Sequence, residues 1–213
     1  YSTKPDVALA PGERADQALK RVLTHLLETM AMNEPGMLED LDSEFLHDYR
    51  VAVRRTRSAL GQVKGVFPEA STRRHRDAFA WLGTITSPPR DMDVYLLAFP
   101  EYREALPAGL RPGLEPLRGF LERRRVAAYE DLRRHLDSAR YRRLMEGWRR
   151  FLEAPAPARP TAPKALAPIK GVADARIWKM VRRVYKEGEA IGPDSPPEDL
   201  HELRKSCKKL RYL

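Results

Sequence analysis

The stretch HDYRVAVRRTR, residues 47–57, has the spacing of an amphipathic helix with one basic and one apolar side. At about 100° per residue, positions i, i+3, i+7 and i+10 fall within a quarter of the helix circumference. The first basic row, about 15 Å long, therefore consists of His47, Arg50, Arg54 and Arg57. The opposite side is apolar and carries Leu46, Tyr49, Val53 and Leu60. The pattern predicts a helix that packs on a core and leaves its basic side free.

The same helical spacing recurs along nearly the whole chain, and strand-like alternation does not persist for six residues. The fold class is therefore predicted to be all-α. Helices are expected at about 12–32 and 42–64. A third should end at Gly83, and a short helix should begin near Asp91. Further helices are expected at about 116–136, 138–152, 172–189 and 197–213. The breakers Asn33-Glu34-Pro35-Gly36 should end the first helix. Residues 153–171 hold five prolines and six alanines, which is typical of an extended linker rather than a packed element.

A second basic cluster, HELRKSCKKLR at 201–211, repeats the first after a shift of 154 positions. Five positions match, because His201, Arg204, Lys208, Lys209 and Arg211 fall on His47, Arg50, Arg54, Arg55 and Arg57. The second basic row consists of His201, Arg204, Lys208 and Arg211, and the side opposite it carries Leu200, Leu203, Cys207 and Leu210. We interpret the match as an internal duplication.

Like charges stacked along one helix face destabilise that helix by a few tenths of a kcal/mol per pair. No acidic residue interrupts either row, so a ligand that carries negative charge is the favoured explanation. The composition agrees, because 39 Lys+Arg against 30 Asp+Glu give the chain a net charge of +9. Arginine suits phosphate oxygens through its planar fork, and lysine supplies a point charge. Each leading histidine either adds charge when protonated or only packs at the helix start.

Other features of the composition narrow the class of protein. Cys207 is the only cysteine, which excludes a disulfide framework and a cysteine-based zinc site. The chain has no apolar run of about 18 residues and no apolar signal core at its start. Its 213 residues suffice for one large or two small domains. We therefore expect a cytoplasmic protein that does not insert into a membrane.

The doubled pattern H-x-x-R-V-x-x-R-R-x-R and H-x-x-R-K-x-x-K-K-x-R-Y resembles the CHAD domain, the conserved histidine α-helical domain. Gly83 and the segment Arg90-Asp91-Met92-Asp93-Val94 are similar to that family's LG…RDxDV segment. The resemblance covers nearly all of 1–213 as a single domain. It implies a first helical half at about 1–152, and a second half from 172 that lacks the family's last helices.

The resemblance also implies a fold and a ligand. Antiparallel helical bundles, related by a pseudo-two-fold axis, would surround a central basic channel. That channel would bind inorganic polyphosphate without catalysis or a cofactor, and polyphosphate granules would be a place of association.

Three further sets of basic residues extend the candidate site. Arg176, Lys179 and Arg183 repeat the row spacing on the helix before the second cluster, while Arg55 and Lys209 flank the two rows. Arg124 falls within an apolar stripe, so it should either line the channel or pair with an acid such as Asp91 or Asp93. The predicted ligand residues are His47, Arg50, Arg54, Arg55, Arg57, Arg124, Arg176, Lys179, Arg183, His201, Arg204, Lys208, Lys209 and Arg211.

Two other functions compete with polyphosphate binding. A basic row also fits the backbone of nucleic acid, but Tyr212 is the only aromatic residue near either row on which a base could stack. His47-Asp48 spells the dyad of HD-type metal phosphohydrolases. On a helix these side chains should diverge by about 100°, and the neighbouring arginines would repel a cation. We therefore predict no metal and no catalysis, and keep nucleic-acid binding as the alternative.

Overall fold

The computed structural model describes residues 7–212, and Leu213, where the last predicted helix ended, lies outside them. The described part is all-α, as predicted, with no strand beyond one isolated bridge between Arg14 and Pro168. Its helices are α1 Ala15–Leu38, α2 Ser43–Gln62, α3 Glu69–Ile85, α4 Ser87–Glu104, α5 Glu115–Leu136, α6 Ala139–Glu153, α7 Ile169–Glu189 and α8 Pro197–Arg211, with a short 3-10 helix at Ala108–Leu114. None of these helices combines the length and apolarity needed to cross a bilayer.

The main core lies between α1, α2, α3, α5 and α6. The apolar side of α2 faces it as predicted, because Leu46, Tyr49, Val53 and Leu60 are all buried. The aromatic ring of Trp148 on α6 is fully buried beside Phe79 of α3. α7 contacts α1, and α8 packs on α7. The basic side of α2 is thus held by an apolar core beneath it.

The predicted end of the first helix and the predicted start of the fourth are wrong. α1 continues through Pro35 to Leu38, where Gly36 lies against the Phe45 ring, so close that a Cβ at Gly36 would lie 2.6 Å from it. α4 begins at Ser87 rather than near Asp91, because its prolines occupy the first turn, where a missing backbone N–H costs nothing. In both places tertiary packing or helix position makes a breaker residue tolerable.

The Pro/Ala-rich segment 153–171 is not an unpacked linker, and that prediction is wrong. Its first part is irregular and its end forms the start of α7, yet Ala162 and Ala165 are buried. The backbone N–H of Ala15 donates to Ala167 O at 2.9 Å, and that of Lys164 donates to Gly65 O at 2.8 Å. Gly65 adopts φ 80°, a conformation that favours glycine. The segment ties the start of α1 and the turn after α2 to α7.

His75 on α3 is enclosed by the aromatic rings of α6, with centroids 4.8 Å from Trp148 and 5.0 Å from Phe151. Burial, helped by Arg74, lowers the pKa of His75 to about 4. The folded protein therefore binds a proton at His75 only near pH 4, whereas the unfolded chain binds it near pH 6.5. We expect the unfolding free energy to fall as pH drops from about 6.5 towards 4, by up to roughly 3 kcal/mol from this one group.

Urea denaturation at pH 8 and pH 4.5 measures this effect in the wild-type protein and in His75→Phe. Phenylalanine carries no proton, so the variant should lose less stability between the two pH values. Parallel losses in the two proteins would show that His75 is not the responsible group.

Candidate anion-binding groove

A cavity of about 490 Å³ lies between α2, α3, α7 and α8, and we call it the basic groove. Its polar wall carries seven cationic side chains, which are Arg54, Arg57, Lys64, Arg76, Arg176, Arg183 and Lys209. Ser58, Gly61, Gln62, Met180 and Tyr212 complete the described lining, which includes no carboxylate. Such a concentration of positive charge favours an anion with several negative charges.

α2 supplies one wall of the basic groove through Arg54 and Arg57, the second half of the first basic row. The guanidinium of Arg54 lies 5.4 Å from the ring centroid of Tyr212, a cation–π contact between α2 and the end of α8. Arg57 passes over the backbone of α3 at Gly83, where an added Cβ would lie 2.9 Å from Arg57 Nη1. The small residue at 83 therefore leaves room for the arginine.

α7 supplies the facing wall through Arg176 and Arg183, with buried Met180 between them. Arg176 Nε donates to Gln62 Oε1 at 3.1 Å, which links α7 to α2 across the groove. Burial lowers the pKa of Arg176, and nearby Arg183 lowers it further. Arg183 donates to Glu187 Oε1 at 2.5 Å. Of the three residues predicted on α7, Arg176 and Arg183 line the groove, while Lys179 is exposed outside the lining.

The remaining members of the first basic row do not line the groove. Arg50 Nη1 donates to Thr86 Oγ1 at 2.8 Å and to Gly83 O at 3.2 Å, so this arginine holds the junction of α3 and α4. Burial is the main cause that lowers the pKa of Arg50. Arg55 is half-buried on α2, and burial followed by Arg54 lowers its pKa.

His47 lies among acidic residues rather than in the groove. One ligand-type atom each of Glu44, His47 and Asp48 lies within 4.8 Å of the others. The prediction that His47 and Asp48 point apart is therefore wrong, because the side chains are long enough to reach each other. Burial raises the pKa of Asp48, and Arg90 Nη1 lies 3.9 Å from Glu44 Oε1. A metal ion would compete with Arg90 for the Glu44 carboxylate, so we propose no metal site at this cluster.

The groove meets α8 at Lys209, which flanks the second basic row, and is also lined by Tyr212, which follows the helix. The row itself, His201, Arg204, Lys208 and Arg211, is exposed on α8 outside the lining. The predicted apolar side is also only partly correct, because Leu203 and Leu210 are half-buried whereas Cys207 is exposed and Leu200 is 56 % exposed.

Comparisons with known proteins identify the family and the fold. The family model of the CHAD domain matches residues 21–213. The chain belongs to the CHAD domain family. A crystal structure of the CHAD domain from the plant Ricinus communis superposes with a TM-score of 0.77 at 28 % identity, over 98 % of this chain and 67 % of that one. PptA from Streptomyces chartreusis has the same fold, with a TM-score of 0.69 at 17 % identity over 94 % and 74 %. The search of curated proteins gave no match.

In this CHAD domain the RDMDV segment, residues 90–94 on α4, braces α4 against α5 and the turn between α1 and α2. Asp93 is 2 % exposed and accepts hydrogen bonds from Arg125 Nε and Tyr129 OH, both at 2.7 Å. Arg125 also donates to Asp40 through Nη1 at 2.7 Å and Nη2 at 2.5 Å. Asp40 has φ 55°, so this ion pair fixes the unusual turn between α1 and α2.

The predicted pairing of Arg124 with Asp91 or Asp93 is wrong, and its role as a ligand residue of a channel stays a prediction. Its side chain is exposed and lies 5.9 Å from the Phe120 ring, outside the groove. Its neighbour Arg125 makes the contact with Asp93 that was predicted for Arg124. The predicted apolar stripe of α5 included Leu117, Phe120 and Leu132. Of these Leu132 is buried, whereas Leu117 and Phe120 are about half exposed, and the buried side continues through Tyr129 and Leu136.

The sequence analysis missed two cationic residues of the groove, Lys64 and Arg76. Lys64 lies seven residues after Arg57, so the row spacing would have found it if it had been continued past the end of α2. Arg76 is on α3, whose approach to α2 and α7 only the tertiary structure reveals.

Proposed function

We propose that the basic groove of this CHAD domain binds inorganic polyphosphate, without a chemical step. The observation that carries the proposal is the lining of seven cationic side chains and no carboxylate. A linear chain of phosphates repeats its charge at short intervals, so it can contact several of these side chains at once. The fork of each arginine suits two phosphate oxygens. No cofactor is part of the proposal. That Glu44, His47 and Asp48 bind no metal stays a prediction.

A long chain would extend beyond the cavity. We expect it to leave the groove at Lys209 and follow the exposed Arg204, Lys208 and Arg211 along α8. Linked contacts of this kind raise the affinity for long chains above that for short ones. The pseudo-two-fold relation between the two rows, the central channel, and a cytoplasmic location at polyphosphate granules belong to the same proposal.

Nucleic-acid binding is the competing function for this groove. Single-strand binders stack bases on exposed aromatic side chains. The described lining holds one aromatic residue, Tyr212, beside seven cationic side chains. A ligand without bases therefore fits the lining better.

The salt dependence of binding tests whether these cations contact phosphate. Counterion release should make log affinity fall linearly with log salt concentration, and each lost contact should lower the slope by about 0.7–0.9. We expect this change for Arg57→Gln and for Lys209→Gln, measured by titration with long-chain polyphosphate at several salt concentrations.

Arg73→Gln and Arg149→Gln are the matched controls, because both side chains are exposed and lie outside the groove lining. Their slopes should equal the wild-type slope. If they flatten the salt dependence as much as Arg57→Gln does, binding is a diffuse property of a protein with net charge +9.

A further inference from the structure

A second groove of about 730 Å³ lies between α3 and α6, and it shares no lining residue with the basic groove. We call it the aromatic groove. Its volume falls within the range of small-molecule sites, about 300–1,000 Å³. The lining combines aromatic and apolar side chains with several arginines, so it differs in chemistry from the basic groove.

The uncharged part of the aromatic groove is formed by the larger side chains Trp81, His75, Leu144 and Phe151, together with Ala78, Gly147 and Ala154. Phe151 stacks on buried Trp148 with centroids 5.3 Å apart, so this wall is backed by the core. The lowered pKa of His75, about 4, keeps its imidazole neutral at physiological pH. The groove thus presents a planar, apolar wall that suits an aromatic ring.

The charged part consists of Arg74, Arg140, Arg143 and Arg150. Among the described side chains none of these four arginines lies within 4 Å of a carboxylate. The single acidic residue of the lining is Asp77, which pairs with Arg76 at 3.6 Å. The arginines are therefore available to an anionic group of a ligand.

Trp81 connects the two parts. The guanidinium of Arg140 lies over its ring at 4.2 Å from the centroid, and the His135 ring is stacked at 6.2 Å. Nucleic-acid bases stack on aromatic rings and on arginine planes, and the exposed guanidinium of Arg140, backed by the Trp81 indole, offers such a plane.

We propose that the aromatic groove binds a nucleotide, with the base stacked at Trp81 and Arg140 and the phosphate held by Arg143, Arg150 and Arg74. An inorganic anion would leave the aromatic wall unused, and an apolar ligand would leave four arginines without partners. The proposal does not rest on polyphosphate binding, because the two grooves share no residue. The nucleotide is either free or part of a single strand.

Calorimetry with AMP and ribose 5-phosphate tests the proposal, because the two ligands carry one phosphate each and only AMP carries a base. AMP should bind at least about tenfold more tightly, as the stacking of one base implies. A short oligoadenylate identifies the source: tighter binding per site than AMP assigns the groove to single strands, and equal or weaker binding assigns it to free nucleotides.

Two matched pairs of variants locate the site. Trp81→Leu should lower the affinity for AMP about tenfold, whereas Trp178→Leu, at a 62 % exposed ring on α7, should not change it. Arg150→Glu should lower the affinity at least about tenfold. Arg149→Glu, the neighbouring residue outside this lining, should change it less than threefold by the same reasoning.

Thermal melting of each variant checks that it is folded. Equal binding of AMP and ribose 5-phosphate, or equal effects within either pair of folded variants, would overturn the proposal, as would no binding of AMP or oligoadenylate.

Discussion

Replacing Arg57 and Arg176 together by glutamate should lower the affinity for long-chain polyphosphate by at least about a hundredfold. The two residues stand on facing walls of the basic groove, on α2 and α7. Each replacement removes a charge-assisted hydrogen bond and adds a negative charge that repels phosphate. Isothermal titration calorimetry at about 0.15 M salt, near the physiological value, measures the loss.

Arg73→Glu with Arg149→Glu makes the same change in net charge at two exposed positions outside the groove lining. At this ionic strength separated surface charges are largely screened, so the affinity should fall less than about threefold. A similar loss in both double variants would show that net charge, and not the groove, determines binding.

Replacing Asp93 by alanine should lower the free energy of unfolding by about 3–5 kcal/mol. Asp93 is 2 % exposed and accepts from both Arg125 and Tyr129. Without it the buried hydroxyl of Tyr129 has no partner, and Arg125 keeps only Asp40. Urea denaturation monitored by circular dichroism measures the loss.

Asp131→Ala provides the matched control on the same bundle. Asp131 pairs with Arg134 at 2.9 Å on the surface of α5, with both side chains more than half exposed. Exposed pairs of this kind contribute about 0–1 kcal/mol. If Asp93→Ala costs no more than Asp131→Ala, the RDMDV segment does not brace the fold as described.

The periodicity of the sequence predicted the all-α class and the orientation of α2, because apolar spacing alone determines which side of a helix meets the core. The periodicity did not predict the features that depend on contacts between residues distant in sequence. Pro35 stays within α1, and Gly36 makes room for Phe45 of the next helix. Residues 153–168 pack through backbone hydrogen bonds and buried alanines, which composition cannot distinguish from a linker.

The candidate site, too, could be predicted only where spacing within one helix determines it. Arg54, Arg57, Arg176, Arg183 and Lys209 were predicted and line one cavity. Spacing within one helix could not show that Arg50 would be engaged by Gly83 and Thr86, two residues of another element. It also could not place Arg76 beside α2 or decide between Arg124 and Arg125. A one-residue error on a helix turns a side chain by about 100°, from core to solvent.

The most direct test compares long-chain polyphosphate with single-stranded DNA of the same number of phosphates, titrated calorimetrically at about 0.15 M salt into the Trp81→Leu variant, so that base stacking in the aromatic groove does not contribute. A groove lined by seven cations and a single aromatic ring gains little from bases, so polyphosphate should bind at least about tenfold more tightly. Equal affinity for the two ligands, or tighter binding of the DNA, would contradict the assignment of the groove to polyphosphate.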